Sequence, residues 1–277
     1  MLSEIEFENI IQMITLYTGI IPKNSHQESI RHYLENRLAE ISVNNPDISI
    51  SSFIKDNPTE IERLINAVTV NETYFFREEN QFKLLKEKIL PELRITANGP
   101  VNIWSAACSS GEEIYSLALL GESLFLPANY TASDINTSML EKCKKGNYKK
   151  NSIRSVDGSF FHTLLPSSNS EGIISIPEEI KKKINIKKIN LSKLSSPKIE
   201  IPLNQHLIFI RNVFIYFTME TRAKILKVLA EKCMANGAYL FVSTNEIASL
   251  DNSIIPPELN KCSDGNVYYF VKRCQND

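Results

Sequence analysis

Over the first 68 residues, apolar side chains recur only at helical spacing. The first run ends in a glycine stop signal and comprises Phe7, Ile10, Ile11, Ile14, Tyr17 and Gly19. Ser25 and Glu28 match a capping box that predicts the start of a second helix. Asn57 followed by Pro58 predicts the start of another. We therefore expect an all-helical N-terminal domain over residues 1–68.

From about residue 98, short apolar runs alternate with helical segments, which is typical of an α/β sheet. The pattern predicts strands at 101–106, 130–133, 207–210 and 238–242, and helices at 113–125, 138–145 and 220–235. The Asp264, Gly265 and Asn266 turn predicts a hairpin whose second arm is 267–273. We therefore assign residues 69–277 to a second, α/β domain.

Residues 146–188 interrupt this alternation. They contain Gly158, Pro166, a Ser/Asn run at 167–170 and a lysine-rich stretch. We predict a small inserted β-subdomain there. The lysines are expected to keep a strand edge soluble rather than to form a docking patch; they are Lys181, Lys182, Lys183, Lys187 and Lys188.

Charge and cysteine spacing exclude several classes of protein. A net charge of −1 argues against a duplex-DNA binder, which needs a basic surface. The five cysteines form no CxxC pair, so neither a disulfide framework nor a metal site is predicted. The N-terminus lacks the basic start and apolar core of a signal peptide, and no stretch approaches the roughly 18 apolar residues of a membrane span. We expect a cytoplasmic protein.

Candidate chemistry begins at the turn after the first predicted strand. In an open parallel sheet, ligands bind beyond the carboxyl ends of strands, and residues 105–111 are all small. Only Gly111 matches the three glycines of a dinucleotide site, so a nicotinamide enzyme is disfavoured. Alone, the turn could equally be a tight loop. Asp134, at the end of the next strand, could bind ribose hydroxyls or serve as a helix N-terminal acid near Asn136.

Four segments in order resemble the signature segments of CheR-type chemotaxis receptor methyltransferases: NETYFFRE at 71–78, WSAACSSGEE at 104–113, ASDIN at 132–136 and RNVFIYF at 211–217. The resemblance implies a Rossmann-like class I S-adenosylmethionine-dependent methyltransferase sheet, with an N-terminal helical domain and an inserted antiparallel β-subdomain. It further implies that glutamate side chains of methyl-accepting chemotaxis proteins become glutamate 5-O-methyl esters, with S-adenosylhomocysteine as the second product and no metal.

The same resemblance implies roles for single residues. Asn71, Thr73 and Arg77 would contact the methionine end of the cofactor, with the guanidinium fork of Arg77 on its carboxylate. The other cofactor positions are Glu112 at the amino group, Asp134 at the ribose, Asn190 and Leu191 beside the adenine, and Arg211 and Asn212 beside the sulfonium. Tyr216 and Arg94 are the expected catalytic residues, with Arg94 as a cation near the substrate carboxylate.

Each assignment has a plainer alternative. Phe75, Phe76, Phe214 and Phe217 are more simply core aromatics than cofactor stackers. Arg77 and Glu78 could form an exposed ion pair of little energetic value. Asn190 could merely end a strand.

The implied partner is the cytoplasmic helical bundle of a receptor, bound by a monomer. Basic residues of the second helix, Arg31, His32 and Arg37, are candidates for this contact, although Arg31 and Glu35 could be an ordinary i,i+4 pair. The β-subdomain could add a strand from the receptor's C-terminal tail. That use stays open, because the loop at 165–171 lacks the glycine-rich look of tail-dependent members.

The chain also departs from the family pattern. It has Gln205 and His206 before the fourth strand, Ile210 before Arg211, Ile114 after the two glutamates, and Ser-Thr-Asn-Glu at 243–246. His206 and the segment at 243–246 motivate an alternative, a catalytically silent relative acting as a regulatory or scaffolding module. A methyltransferase for nucleic acid or a small molecule is disfavoured by the near-neutral charge and by the absence of an Asn/Asp-Pro-Pro-aromatic motif.

Overall fold

The computed structural model describes residues 2–43, 47–154 and 159–274. The N-terminal part consists of helices α1 Glu4–Thr18, α2 Asn24–Ser42, α3 Ile50–Asp56 and α4 Pro58–Val68. They enclose an apolar core of their own that includes Ile10, Ile14, Ile30, Leu34, Ile50 and Leu64. All-helical packing in this region is as the periodicity predicts.

Two of the predicted helix boundaries have a clear local cause. Gly19 ends α1 with a φ of 74°, a conformation that glycine adopts without steric penalty, and its N–H donates to the Thr15 carbonyl at 2.8 Å. Asn57 caps α4 by accepting from the Thr59 N–H, with Pro58 in the first turn. The second helix begins at Asn24, ahead of the predicted cap at Ser25.

The rest of the chain alternates strands and helices. In chain order its elements are α5 Glu79–Leu84, α6 Leu90–Thr96, β1 Val101–Ser105, α7 Glu112–Ser123, β2 Ala128–Asp134, α8 Thr137–Lys145, β3 Asn147–Lys149, β4 Ile173–Ser175, α9 Glu178–Lys181, β5 Ile184–Lys188, β6 Gln205–Phe209, α10 Met219–Val228, β7 Met234–Phe241, α11 Thr244–Ser249, β8 Leu259–Asp264 and β9 Val267–Lys272. A π-helical turn, Leu85–Ile89, joins α5 to α6, and another, Leu229–Cys233, extends α10.

Seven strands form one sheet in the order β5-β2-β1-β6-β7-β9-β8. The first five are parallel, whereas β9 runs antiparallel to β7 and forms the predicted hairpin with β8. Apolar layers cover both faces, with Ile103 in one and Trp104 in the other. The central strands therefore read as continuous apolar runs. This is the Rossmann-like class I methyltransferase architecture that the sequence predicts.

The inserted β-subdomain ends earlier than the predicted residue 188. Strands β3 and β4 do form a separate antiparallel pair, but Ile184–Lys188 is the parallel edge strand of the main sheet, next to β2. Edge strands often carry lysines because one edge faces solvent. The lysines of this strand therefore give it the composition of a surface segment, and the sequence pattern did not indicate a sheet strand. Lys183 and Lys187 pair with Glu122 and Glu200 at the surface.

None of the helices that the structure describes is both long enough and apolar enough to span a membrane.

Candidate functional site

The carboxyl ends of β1, β2 and β6 open into one cavity of about 880 Å³, including its part open to solvent. Of the predicted positions, nine line it: Asn71, Thr73, Arg77, Asp134, Asn190, Leu191, Arg211, Asn212 and Tyr216. The switch in strand order between β1 and β6 places the cavity where open α/β sheets bind ligands.

The turn from β1 into α7 is built around two residues with positive φ. Ser109 has a φ of 47° and Gly111 a φ of 99°. A Cβ atom at Gly111 would stand 2.5 Å from Cys143 Sγ, so only glycine fits there. The Ser109 hydroxyl donates to the Asn71 carbonyl at 3.3 Å. The turn is therefore shaped by its neighbours around the cavity rather than being an isolated tight loop.

Asp134 ties two of these turns together. Its Oδ2 accepts from the Ser109 N–H at 2.8 Å, and its Oδ1 accepts from the Asn136 N–H at 2.9 Å. Burial raises the pKa of this carboxyl, against the lowering effect of those backbone donors. The cap of α8 is Asn136, which accepts from the Met139 N–H, so Asp134 is not the helix cap.

The cavity wall contains Glu113 rather than the predicted Glu112. Glu113 lines the cavity, whereas Glu112 turns away and accepts from the hydroxyls of Ser110 and Ser152. Consecutive helical residues point roughly 100° apart, so the two glutamates at the start of α7 cannot share one face. The expectation for Glu112 is corrected accordingly. The sequence signal that could have identified Glu113 is its place as the second glutamate of the WSAACSSGEE segment.

Arg211 is a buried connector. Its Nε donates to Glu113 at 2.7 Å, and its Nη1 donates to the Arg77 carbonyl at 2.7 Å and to Gln81 Oε1 at 2.8 Å. One guanidinium thus joins three elements around the cavity. Gln81, which also donates to the Val242 carbonyl at 2.9 Å, was missed because no local pattern distinguishes it from a polar surface residue.

Asn212 continues this wall with a φ of 56°, and its N–H donates to Glu246 Oε2 at 2.7 Å. Glu246 also accepts from the Ser243 N–H and forms a capping box with that residue at the start of α11. The divergent segment at 243–246 therefore supports the loop after β6.

Arg77 lies at the cavity with its guanidinium half-exposed. Its Nη1 donates to the Glu72 carbonyl at 2.9 Å, and its guanidinium carbon lies 5.6 Å from the Tyr74 ring centroid. Glu78 instead accepts from the N–H and hydroxyl of Thr244. The exposed Arg77 and Glu78 pair is not formed. The four aromatics weighed as core residues, Phe75, Phe76, Phe214 and Phe217, are buried, and Phe217 also lines the cavity.

The N-terminal helices close the remaining side. The Asn190 amide donates to the Tyr17 carbonyl at 2.7 Å, while its oxygen accepts from the Ser192 N–H. The Ile21 N–H donates to the Tyr216 carbonyl at 2.9 Å. Four lining residues from this region were missed, because a helical pattern does not say which residues face a cavity: Thr18, Ile20, His26 and Val68.

Arg94 does not reach the cavity. It is exposed on α6, and its Nη1 donates at 3.1 Å to the carbonyl of Leu124, just after α7 ends. The 12 residues of α7 separate that end from the cavity by about 18 Å at 1.5 Å per residue. The prediction that Arg94 stands beside the reacting carboxylate is corrected on this ground.

His206 also lies away from the cavity, near the start of β6. Its Nδ1 accepts from the Asn102 N–H of β1 at 2.9 Å. His206 therefore links two neighbouring strands at the end of the sheet opposite the cavity.

Comparison with known proteins decides what kind of cavity this is. Residues 71–259, more than half of the chain, match the family described as CheR methyltransferase, SAM binding domain. The chain belongs to the CheR methyltransferase family. Its S-adenosylmethionine-binding domain thus contains every strand end that forms the cavity.

Two curated relatives illustrate the similarity. Chemotaxis protein methyltransferase 1 of Vibrio cholerae is 27% identical over 96% of this chain and 97% of its own length. Chemotaxis protein methyltransferase 1 of Pseudomonas aeruginosa is 33% identical over 75% of this chain and 76% of its own. Among solved structures, monomeric WbdD has a TM-score of 0.43 at 12% identity, covering 71% of this chain and 42% of that one.

The residues of this CheR-family cavity fit the cofactor's chemistry. Arg77 offers a cation for a carboxylate, Asp134 a carboxylate for hydroxyl groups, and Leu191 an apolar surface for a ring. Within the described residues, no three His, Cys, Asp or Glu side chains are grouped as a metal site requires.

Proposed function

We propose that this chain transfers the methyl group of S-adenosylmethionine to glutamate side chains in the cytoplasmic helical bundle of chemotaxis receptors. The products are glutamate 5-O-methyl esters and S-adenosylhomocysteine. The observation that carries this proposal is the cavity at the carboxyl end of the sheet, lined by Arg77, Asp134 and Asn190, in a CheR-family chain. The names of the curated relatives supply the chemotactic context.

The methyl transfer requires the protein mainly to hold the cofactor and the substrate carboxylate in the right positions. Bound S-adenosylmethionine would supply an electrophilic methyl group for a carboxylate oxygen of the substrate. Glutamate is already ionised at neutral pH, so no general base is required. The protein accelerates the reaction by binding and orienting the two reactants and by excluding water from the cavity.

The residues divide this work in the proposed complex. Arg77 would hold the carboxylate of the methionine end, and Asp134 would hold the ribose hydroxyls. Asn212 and Tyr216 line the part of the cavity where the sulfonium is expected. Burial raises the pKa of Tyr216, so its hydroxyl stays protonated at neutral pH and can donate a hydrogen bond there.

No observation favours the catalytically silent alternative. The two departures that motivated it have structural explanations that do not require a loss of activity. His206 bonds to a neighbouring strand, and the 243–246 segment keeps a capping glutamate that supports Asn212. We therefore retain an active enzyme as the proposal.

Ion pairs within the chain reduce the number of basic residues on the N-terminal helices that are available to bind a receptor. Arg31 pairs with Glu4 rather than with Glu35, and Arg37 pairs with Glu60 and Glu40. Arg37 is held by the buried Glu60, so it is committed to the fold. The Arg31–Glu4 pair is exposed and can open to an incoming carboxylate.

The β-subdomain offers little room for a receptor tail. The edge of β4 opposite β3 is occupied by an antiparallel bridge from Ser168 to Ile174. Asn169 adds a backbone bond to the Ile173 carbonyl at 2.9 Å. We propose that recognition at this edge does not use the tail.

The decisive experiment incubates the protein with methyl-labelled S-adenosylmethionine and receptor cytoplasmic fragments. The expected result is base-labile methyl label on the fragment, as an ester gives. A fragment with its acceptor glutamates changed to glutamine is the matched control and should stay unlabelled. Measurable cofactor binding without label on any receptor fragment would contradict the proposal and favour the silent module. Label on tRNA or DNA instead would point to the nucleic-acid class.

A further inference from the structure

Arg154 stands beside the first signature segment, close to the cavity. Its Nη1 contacts the carboxylate of Glu72, a residue that lines the cavity. Its guanidinium carbon lies 5.2 Å from the Tyr74 ring centroid, on a ring that Arg77 also approaches, at 5.6 Å. Aromatic contact of this kind orients a guanidinium. The hydrogen bond from Arg154 holds the pKa of Glu72 below its usual range. The region between Tyr74 and Arg154 therefore already binds one glutamate side chain, that of Glu72.

This ion pair can be exchanged. The side chains of Arg154 and Glu72 are 50% and 56% exposed, and solvent-exposed pairs contribute little to stability. An incoming carboxylate would replace Glu72 at a small net energetic change. The guanidinium fork is suited to bidentate binding of whichever carboxylate is present.

The other arginines near the cavity are committed to different contacts. Arg211 is buried against Glu113, Gln81 and a backbone carbonyl. Arg77 is assigned above to the cofactor's own carboxylate, and Arg94 lies about 18 Å away along α7. Arg154 is the arginine in this part of the described structure whose carboxylate partner is exposed and replaceable.

We propose that Arg154 binds the substrate by forming an ion pair with an acidic side chain of the receptor helix. In the free enzyme, Glu72 occupies the position of that side chain. The inference rests on the proposed function and names a receptor-binding cation in addition to the predicted Arg31, His32 and Arg37. The receptor carboxylate displaces Glu72, forms the ion pair with Arg154, and is thereby held next to the cavity wall to which Glu72 belongs. The exchange is one carboxylate for another, so no proton or electron moves.

Three variants test it: Arg154→Ala, Arg154→Lys and Glu72→Gln. The Michaelis constant for a receptor cytoplasmic fragment, kcat and the S-adenosylmethionine Kd are measured for each. Losing an exposed ion pair predicts that Arg154→Ala raises the Michaelis constant about three- to fivefold, with the cofactor Kd within about twofold of wild type. Arg154→Lys should recover part of the loss. Glu72→Gln removes the competitor and should leave the Michaelis constant equal or lower.

The opposite signs separate docking from a structural tie. If the pair only braces the protein, Arg154→Ala and Glu72→Gln both break it and shift the same parameters in the same direction; that result overturns the proposal. An unchanged Michaelis constant in Arg154→Ala overturns it as well.

A binding arm distinguishes failure of this inference from failure of the proposed function. Fluorescence anisotropy follows a labelled receptor fragment binding to the full chain with S-adenosylhomocysteine present. Binding that depends on Arg154 but gives no methylation would overturn the proposed function and leave the docking role intact. Methylation that proceeds equally in wild type and Arg154→Ala would overturn only the docking role. Absence of both binding and methylation overturns both.

Discussion

Two arginine–glutamate pairs stand at the same cavity and differ in their exposure to water. The side chains of Arg211 and Glu113 are 1% and 10% exposed, and further hydrogen bonds satisfy the guanidinium. Those of Arg154 and Glu72 are 50% and 56% exposed. Breaking a buried pair strands a charge, whereas opening an exposed pair returns both groups to water. The first pair therefore builds the cavity, and the second can open to bind an acidic partner.

The buried side of this comparison extends through a connected network. Arg211 links α7 to the first signature segment and to Gln81, which reaches the end of β7. Asn212, next in the chain, is held by Glu246. Four of the non-glycine residues with positive φ are in or beside this network: Phe76, Glu78, Ser109 and Asn212. Strained backbone of this kind persists where surrounding contacts over-determine it, often at functional sites.

The largest effect is expected from Arg211→Ala. It leaves Glu113 buried without its cation, so the free energy of unfolding should fall by about 3–5 kcal/mol, as measured by urea denaturation. Lys224→Ala is the matched control, because its pair with Glu220 is exposed at 68% and 77% and should change stability little. Equal losses in the two variants would erase the distinction between the pairs.

Asp134→Asn should weaken S-adenosylmethionine binding about tenfold or more, measured by calorimetry, since a charged acceptor is lost at the proposed ribose position. An asparagine also offers one acceptor where Ser109 and Asn136 need two. Asp264→Asn, at an exposed pair with Lys88, is the control. Wild-type affinity in Asp134→Asn would remove Asp134 from the cofactor site.

Arg77→Ala compared with Arg94→Ala tests the revised placement of the two arginines. The first should raise the Kd for S-adenosylmethionine about tenfold, because it removes the cation proposed for the methionine carboxylate. The second should leave the Kd unchanged, since Arg94 contacts only the far end of α7 in the described structure. A reversed outcome would contradict the assignment of Arg77 to the methionine carboxylate.

The smallest expected effect is a pH dependence of folding. Burial lowers the pKa of His206 from the 6.5 of a free histidine, and protonation would remove the acceptor for the Asn102 N–H. As the pH falls, His206 is therefore protonated at a higher pH in the unfolded chain than in the folded chain. The free energy of unfolding should be level above about pH 6.5 and decrease below it, toward the folded pKa.

His206→Gln is the matched variant for this titration, because glutamine keeps an acceptor without titrating. Urea unfolding between about pH 5.5 and 8 should show a shallower slope in the variant. Burial also lowers the pKa of His26, so part of the wild-type slope should remain. Identical slopes would show that His206 does not contribute.

Local patterns predicted much of the fold. Helical spacing with glycine, asparagine and proline signals located α1 and α4, and alternating strands and helices located β1, β2, β6 and β7. The edge strand β5 escaped, because its lysines gave it the composition of a surface insertion. The cavity residues were found through the resemblance of four segments to a family, since no single residue among them is diagnostic.

The sequence alone determined the family, the α/β architecture and the neighbourhood of the cavity, because these depend on periodicity and on ordered short segments. Tertiary structure alone decided which of two adjacent glutamates faces the cavity, that Arg94 lies at the wrong end of a helix, and that Arg154 meets Glu72. Those facts depend on side-chain direction and on contacts between residues distant in the chain. Sequence spacing constrains neither until the sheet brings the elements together.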